Sequence, residues 1–514
     1  MANLADLVRQ AAAAHAGKAA VVAGDRELSW ADLDAAVDRA AGAYVGLGLV
    51  PGDRVALALG NVPEFAVAYF GALRAGLVAL PVNTSYTPAE LTHLVADSGA
   101  RASVVSRALA ETYVELARQD NELGHVLVAA TNAAPEGSRV FDEMLSQASP
   151  YSGDAAAGDE DLAVLIYTSG TSGRPKGAML SHRALLANLQ QIGEIQPPLA
   201  ASDDVVLLVL PLFHIYGLNF GLGLVAYAGA TGVLVERFDP TETLTQIRRH
   251  GVSSVVGVPQ MYIAWSMLPD VDDAMSSVRL AVSGAAPLPP AVLLRVLETT
   301  GHHIFEGYGL TETAPAVTTT LMSEVAKPGS IGRPIPGVEL RLLDESGEEV
   351  DEDDPGEIVV RGANLFSGYW PDGADGPDEQ GWWRTGDVAY ADNGGDLFLV
   401  DRRRELILVS GFNVYPREVE EVLARHPDIA EAAVIGIAHP YTGESVKALV
   451  VLRPGARLSA EDVIDWCAVS LARFKCPTAV EFRDELPHSA TGKVSKGRLR
   501  EIGLDAAGSA AGPG

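Results

Sequence analysis

Residues 167–177 read Tyr-Thr-Ser-Gly-Thr-Ser-Gly-Arg-Pro-Lys-Gly. This run of hydroxyls and glycines supplies the donors that a polyphosphate chain needs around it. Its glycines, Gly170 and Gly173 among them, let backbone amides come close to phosphate oxygens. The hydroxyls of Thr168, Ser169, Thr171 and Ser172 donate further bonds, and Lys176 adds a positive charge. Residues 162–166, just before the run, are apolar and β-prone, and the stretch after Met179 has a helical pattern. The run is therefore expected at a strand-to-helix turn. It is not a Walker A loop, because Pro175 precedes the lysine and Gly177, not Ser or Thr, follows it.

The surrounding chain is long and acidic. Its 514 residues suggest roughly three structural units. Hydrophobic residues make up 48% of the chain, ample for large cores. With 38 Lys+Arg against 67 Asp+Glu the formal net charge is -29, which argues against nonspecific binding to nucleic acid or anionic lipid. Anionic ligands must then meet local basic groups. Cys467 and Cys476, the two cysteines, offer neither a disulfide framework nor a metal cluster; both read as structural, and the expected compartment is the cytoplasm. Residues 1–14 are amphipathic and alanine-rich and read as a first helix, without the basic start and apolar core of a signal peptide. Residues 217–235 lack charge but carry five glycines, so a buried helix followed by a strand is expected there and no transmembrane segment.

Apolar, β-branched runs at 55–59, 79–82, 205–209, 232–235 and 254–258 alternate with helical patterns at 30–47, 64–75, 88–98 and 289–300. That alternation predicts an α/β fold with largely parallel sheets layered with helices. From about residue 337 the texture changes to short strands and turns, a small β subdomain, with an acidic turn region at 344–354. After a strand at 397–400 comes Asp401-Arg402-Arg403-Arg404-Glu405. A compact pattern follows: helix 416–425, strands 432–437 and 445–452, helix 460–471 and strand 479–482, enough for a small α+β domain. The expected division is a large domain 1–401, a hinge 402–404, a small mobile domain 405–503 and a disordered Ala/Gly/Ser/Pro tail 504–514. No internal repeats are visible.

Further polar runs stand in order along the chain. Gly307-Tyr308-Gly309-Leu310-Thr311-Glu312 follows a short β-like run at 303–305. Ser283-Gly284-Ala285-Ala286-Pro287-Leu288 is small and flexible, Thr385-Gly386-Asp387 reads as a turn, and Thr491-Gly492-Lys493 places a lysine after a turn near the C-terminus. Residues 210–219 read Leu-Pro-Leu-Phe-His-Ile-Tyr-Gly-Leu-Asn, with His214 and Tyr216 at their centre. In chemical terms an aromatic face suits a nucleobase and a carboxylate oxygen suits a hard cation.

Together with the first loop, these runs resemble the landmark motifs of the adenylate-forming superfamily of acyl-CoA synthetases, aryl-CoA ligases, peptide-synthetase adenylation domains and beetle luciferases, over residues 30–499. The resemblance implies ATP, Mg²⁺ and CoA. It assigns Tyr308 to adenine with Ala285 and Ala286 beside it, Thr311 to the α-phosphate, Glu312 to Mg²⁺, and Asp387 with Arg402 to the ribose. It makes Lys493 the lysine that bridges the attacking carboxylate and the α-phosphate, and sets His214 beside the acyl carboxylate and the thiol path. Tyr216, Ser283, Gly284, Gly309, Pro315 and Ala316 would line the acyl pocket. The small domain would rotate about Arg404, so that the face around Gly411 lines the pantetheine passage after adenylation.

The 210–219 run looks like that of coumarate-CoA and fatty acyl-CoA ligases and lacks the aspartate that holds an α-amino group in peptide-synthetase domains. Arg404 stands where relatives often carry Lys or Asp. Leu408 and Asn413 occupy positions that are lysine and glutamine in coumarate-CoA ligases, which weighs against a hydroxycinnamate. The expected reaction is ATP-dependent ligation of a carboxylic acid to CoA through an acyl-adenylate. A medium- or long-chain fatty acid is the first substrate reading and an aryl or arylpropenoic acid the second. Loading of an acyl carrier protein, luciferase-like oxidation and a noncatalytic scaffold are the rivals; intact Lys493, Glu312 and Asp387 argue against the last.

Overall fold

The computed structural model describes residues 3–119, 122–153, 157–168, 175–286, 288, 290–344, 346–351, 354, 356–402, 407–414, 416–486 and 499. These fall into two compact units. The larger holds the described residues of 1–84, 94–168 and 177–401, the smaller those of 85–93, 169–176 and 402–514.

The larger unit is built on two wide sheets. In the nine-stranded sheet, Ala19–Ala23, Thr231–Leu234, Val205–Leu208, Ser254–Gly257, Leu280–Ser283 and Ile304–Gly309 lie side by side and parallel, in that order. Antiparallel strands finish its edges: Arg26–Ser29 at one side, Ala316–Thr319 and then Arg333–Pro334 at the other. In the seven-stranded sheet, Arg54–Ala58 pairs in parallel with Val78–Pro81 and Ala100–Val105, and Leu162–Thr168 continues beyond Val78–Pro81. Ser254–Gly257 and Leu280–Ser283 are buried at every position, which is why they read as unbroken apolar or small runs; a parallel strand is covered on both faces.

Helix Pro63–Arg74 is apolar almost all round and buried along its whole length. It packs against helix Trp30–Gly46 so closely that a Cβ on Gly71 would come within 2.5 Å of Ala40 Cβ. Both of its charges are buried and paired: Glu64 meets Arg26 at 2.5 Å, and Arg74, 1% exposed, pairs with Asp34 at 2.6 Å and Asp38 at 2.9 Å, as a buried guanidinium must. A third sheet, Val338–Leu343, Gly356–Gly362, Trp382–Ala391 and Leu397–Arg402, forms the β-rich part expected after residue 337, with the first three strands antiparallel.

The residues after the opening loop depart from expectation. Lys176–Ser181 forms a strand beside Leu162–Thr168, and the helix begins only at His182, so the loop joins two strands. The pairing of 176–181 with neighbouring backbone outweighs a weak helical pattern, and Ser181 then caps the helix by accepting a hydrogen bond from the Ala184 amide. Residues 217–235 form a buried helix, π-wound over Tyr216–Gly223 and α over Leu224–Ala228, followed by the strand Thr231–Leu234. Among the described residues no helix is long and apolar enough to cross a membrane.

The smaller unit carries a five-stranded sheet. Phe412–Val414, Ile407–Val409, Gly443–Leu452 and Ile429–His439 follow one another, with Ala479–Phe482 parallel to Gly443–Leu452. Helices Pro416–Ala424 and Ala460–Ser470 accompany it, and Trp466 Nε1 donates to the Val422 carbonyl at 2.9 Å. Cys467 and Cys476 are packed in this core, where burial pushes their thiols up to about 12 and about 11, the behaviour of structural cysteines. Lys475, 2% exposed, is held by Glu418 at 2.9 Å and Glu90 at 3.2 Å.

Candidate active site

Several of the predicted residues follow the carboxyl ends of parallel strands in the nine-stranded sheet, the edge at which open α/β sheets form their ligand crevices. Val205–Leu208 runs into the 210–216 turn, Leu280–Ser283 into Gly284, Ala285 and Ala286, and Ile304–Gly309 into Thr311 and Glu312. The last strand extends through Gly307-Tyr308-Gly309, further than the sequence suggested, because Gly307 and Tyr308 pair with Thr319 and Thr318.

Tyr308 and Asp387, far apart in sequence, meet. The Tyr308 hydroxyl donates to Asp387 Oδ2 at 2.7 Å, with the two residues 7% and 4% exposed. Asp387 is fixed in turn, since its amide donates to Thr385 Oγ1 at 3.1 Å and that hydroxyl donates to the Ile358 carbonyl at 2.9 Å. Thr311 and Glu312 follow in the short turn Thr311–Thr313. Glu312 is buried, and its Oε1 accepts a hydrogen bond from the Tyr369 hydroxyl at 2.6 Å.

The turn after Glu312 is set by contacts that leave no room for choice. A Cβ on Gly309 would stand 1.9 Å from the Pro315 carbonyl oxygen, so only glycine fits. Three buried asparagines hold the following backbone. Asn188 both donates to the Ala316 carbonyl and accepts from its amide, Asn219 Nδ2 donates to the Ala314 carbonyl at 2.7 Å, and Asn364 Nδ2 donates to the Thr313 carbonyl at 2.8 Å. Asn61 does the same for the histidine turn, donating to the Leu208 and Leu210 carbonyls and accepting from the Leu212 amide. Sequence reasoning missed all four; a polar residue inside an otherwise apolar helix or strand end was the available signal.

His214 is half-buried, and desolvation lowers its pKa to about 4, so the ring is neutral at pH 7. Its Nδ1 accepts from the Tyr216 amide at 3.2 Å, which places the ring proton on Nε2. The Tyr216 ring packs on Phe220 with centroids 5.3 Å apart, and its hydroxyl donates to the Gly257 carbonyl at 3.3 Å. A Cβ on Gly284 would touch this ring at 3.0 Å. Next to it Ser283 is 1% exposed and its Oγ has no hydrogen-bond partner among the described residues, an orphan hydroxyl of the kind a ligand satisfies. Tyr216, Ser283 and Gly284 thus come together; Pro315 and Ala316 lie against Gly309. Ala285 adopts a left-handed φ of 66°, and Ala286 follows it, half-buried.

Thr168 ends one strand and Lys176 begins the next, both half-buried. Ser169, Gly170, Thr171, Ser172, Gly173, Arg404 and Lys493 lie outside the described residues, and Arg402 closes its strand with its side chain outside them too. In the smaller unit, Ser410 and Gly411 make the two-residue turn between Ile407–Val409 and Phe412–Val414, with φ of 52° and 80°. Gly411 therefore has a local reason to be glycine as well.

A divalent cation fits the Glu312 neighbourhood. Mg²⁺ keeps waters and phosphate oxygens and takes only one or two protein carboxylates. A single buried carboxylate next to Thr311 is such a donor set. Among the described residues no group of three or more His, Cys, Asp or Glu is assembled to hold a metal by protein ligands alone.

A tyrosine hydroxyl bonded to a buried carboxylate, a hydroxyl and a carboxylate on one turn, and a neutral histidine at the end of the same sheet fit a nucleotide-dependent acid-activating enzyme. The chain belongs to the AMP-binding enzyme family: the model of that family matches residues 8–370, and the model of its C-terminal domain matches residues 418–493. It is 36% identical to a long-chain-fatty-acid–CoA ligase of Escherichia coli O157:H7, over 97% of this chain and 94% of that one. It is 37% identical to a feruloyl-CoA synthase of Amycolatopsis sp, over 94% and 95% of the two chains. A solved structure of o-succinylbenzoate CoA synthetase from Bacillus subtilis, 28% identical, superposes with a TM-score of 0.84 over 98% of both chains.

Proposed function

We propose that this protein ligates a carboxylic acid to CoA at the expense of ATP, through an acyl-adenylate. The observation that carries the reading is that the Tyr308–Asp387 pair, Glu312 and the His214–Tyr216 turn all stand at the carboxyl end of one parallel sheet. The similar proteins named above are ligases or synthetases for a long-chain fatty acid, a feruloyl group and o-succinylbenzoate.

In the first half-reaction the acid's carboxylate oxygen attacks the α-phosphorus of ATP and pyrophosphate leaves. Tyr308 lies against the adenine beside Ala285 and Ala286, while Asp387 with Arg402 holds the ribose. Thr311 donates to the α-phosphate, the 168–176 loop cradles the other phosphates, and Lys493 meets the charge that accumulates between carboxylate and phosphate. Glu312 would hold Mg²⁺, which supplies charge neutralisation to the phosphates. His214, neutral and protonated on Nε2, donates toward the acyl carboxylate without adding charge. In the second half-reaction the CoA thiol sulfur attacks the acyl carbon, the thiol proton is lost to water, and AMP leaves. The domain division 1–401, 402–404 and 405–503, rotation about Arg404, and a pantetheine passage at Gly411 complete the proposal. So does a cytoplasmic location, with an acyl carrier protein as the alternative acceptor.

A medium- or long-chain fatty acid is the leading substrate. A flat aryl or arylpropenoic acid is the second, favoured by the Tyr216 ring set against Gly284 and bonded to the Gly257 carbonyl, which gives the pocket an aromatic wall. Acyl-CoA formation from a panel of C6–C18 acids, cinnamates and benzoates decides between them. Highest kcat/KM for a fatty acid supports the first, and for a cinnamate the second. No thioester with any acid contradicts both.

A further inference from the structure

The segment 366–370, Phe-Ser-Gly-Tyr-Trp, carries none of the motifs read from sequence, yet it touches both phosphate-handling parts of the site. On one side it pairs along the exit of the phosphate loop. The Trp370 amide donates to the Gly177 carbonyl at 2.8 Å, the Met179 amide to the Gly368 carbonyl at 3.1 Å, and the Ser367 amide to the Met179 carbonyl at 2.9 Å. Trp370 Nε1 also donates to the Asp97 carbonyl at 3.0 Å, and the Asp97 carboxylate accepts from the hydroxyl of Tyr167, the first residue of the loop run. On the other side the segment grips Glu312 twice: the Phe366 amide donates to the Glu312 carbonyl at 2.9 Å, and the Tyr369 hydroxyl donates to Glu312 Oε1 at 2.6 Å. Phe366 itself is 1% exposed, with its ring packed edge-on to Tyr369 at 5.1 Å and Trp383 at 5.2 Å. The segment is thus anchored in the core while it holds the loop exit and the carboxylate at a fixed spacing.

We propose that Tyr369 is a positioning residue for the divalent cation: its hydroxyl fixes the Glu312 carboxylate in the orientation that meets a metal on the nucleotide phosphates, and its backbone neighbours tie that carboxylate to the strand that follows the phosphate loop. The inference rests on the nucleotide-site reading above. A carboxylate that swings between rotamers must be ordered each time the cation binds; one pinned through a charge-assisted hydrogen bond is already placed. Tyr369 touches neither substrate nor metal in this account.

The test uses the full-length protein, Mn²⁺ as the probe and a nonhydrolysable ATP analogue, with bound Mn²⁺ read by electron paramagnetic resonance and thermal stability measured alongside. Tyr369→Phe removes only the hydroxyl. It is expected to raise the Mn²⁺ midpoint on the order of tenfold, with metal-free analogue affinity and Tm unchanged. An unchanged Mn²⁺ midpoint overturns the proposal, as does an equal loss of metal-free affinity, which would make Tyr369 merely a brace. Glu312→Gln separates this from the underlying reading. If it weakens Mn²⁺ binding while Tyr369→Phe does not, only the role of Tyr369 fails; if neither matters, the assignment of the metal to Glu312 fails as well.

Discussion

Glu306 shows how much chemistry a single side chain can hold without belonging to a motif. It is 6% exposed, its Oε2 accepts from the Leu288 amide at 3.0 Å, and burial raises its carboxyl to about 7. A carboxyl whose folded pKa lies above its unfolded value contributes stability that is complete below pH 4.5 and is lost as pH rises through 7. Glu306→Gln keeps the acceptor and removes the charge. It should therefore stabilise the protein by on the order of 2 kcal/mol at pH 8 and leave it unchanged at pH 4.5; urea melts at the two pH values check this. His182 and His214, both lowered to about 4 by burial, pull the other way and cost stability as pH falls below 6.5. At this scale the residues singled out in the sequence were those that carry their own chemistry in a recognisable run, such as Tyr308, Thr311, Glu312 and Asp387. Asn61, Asn188, Asn219 and Asn364 were not legible, because each acts on backbone at least 51 residues away and a polar residue in an apolar element does not say which backbone it will meet.

The elements were read well where periodicity was strong and poorly where backbone pairing decided. Helix Pro88–Ser98 and strand Ala479–Phe482 fall where the pattern put them. Strand Lys176–Ser181 did not, because its partners, Leu162–Thr168 and the 366–370 segment, are not visible from within it. Turns allow sharper tests. Gly309→Ala would force a Cβ into the Pro315 carbonyl and should cost about 1–3 kcal/mol, seen as a lowered unfolding midpoint together with weakened nucleotide binding. Gly411 has two reasons to be glycine, its φ of 80° and the passage proposed for pantetheine. Asparagine tolerates the left-handed region where leucine does not, so Gly411→Asn keeps the turn while adding a side chain. The expected result is unchanged pyrophosphate release with a CoA-dependent step slowed by at least about tenfold; equal loss in both half-reactions would assign the glycine to the turn alone.

For the whole molecule, the -29 net charge makes local cations decisive, because an anionic nucleotide must be drawn into an acidic protein. The sequence offers Lys176 beside the phosphate loop and Lys493 near the C-terminus, and ordered motifs across 30–499 made the two-part architecture legible before any coordinates. The acid was not legible, because the shape of the proposed acyl pocket depends on how Tyr216, Gly257 and Gly284 pack, residues brought together from separate stretches of chain. The central claim is that the acid is activated as an adenylate before CoA is engaged. The most direct measurement is exchange of labelled pyrophosphate into ATP without CoA, in the wild type and in Lys493→Ala. Exchange that requires the acid, proceeds without CoA and falls about 10²–10³-fold in the variant is the predicted result; exchange that ignores the acid, or that appears only when CoA is present, would contradict it.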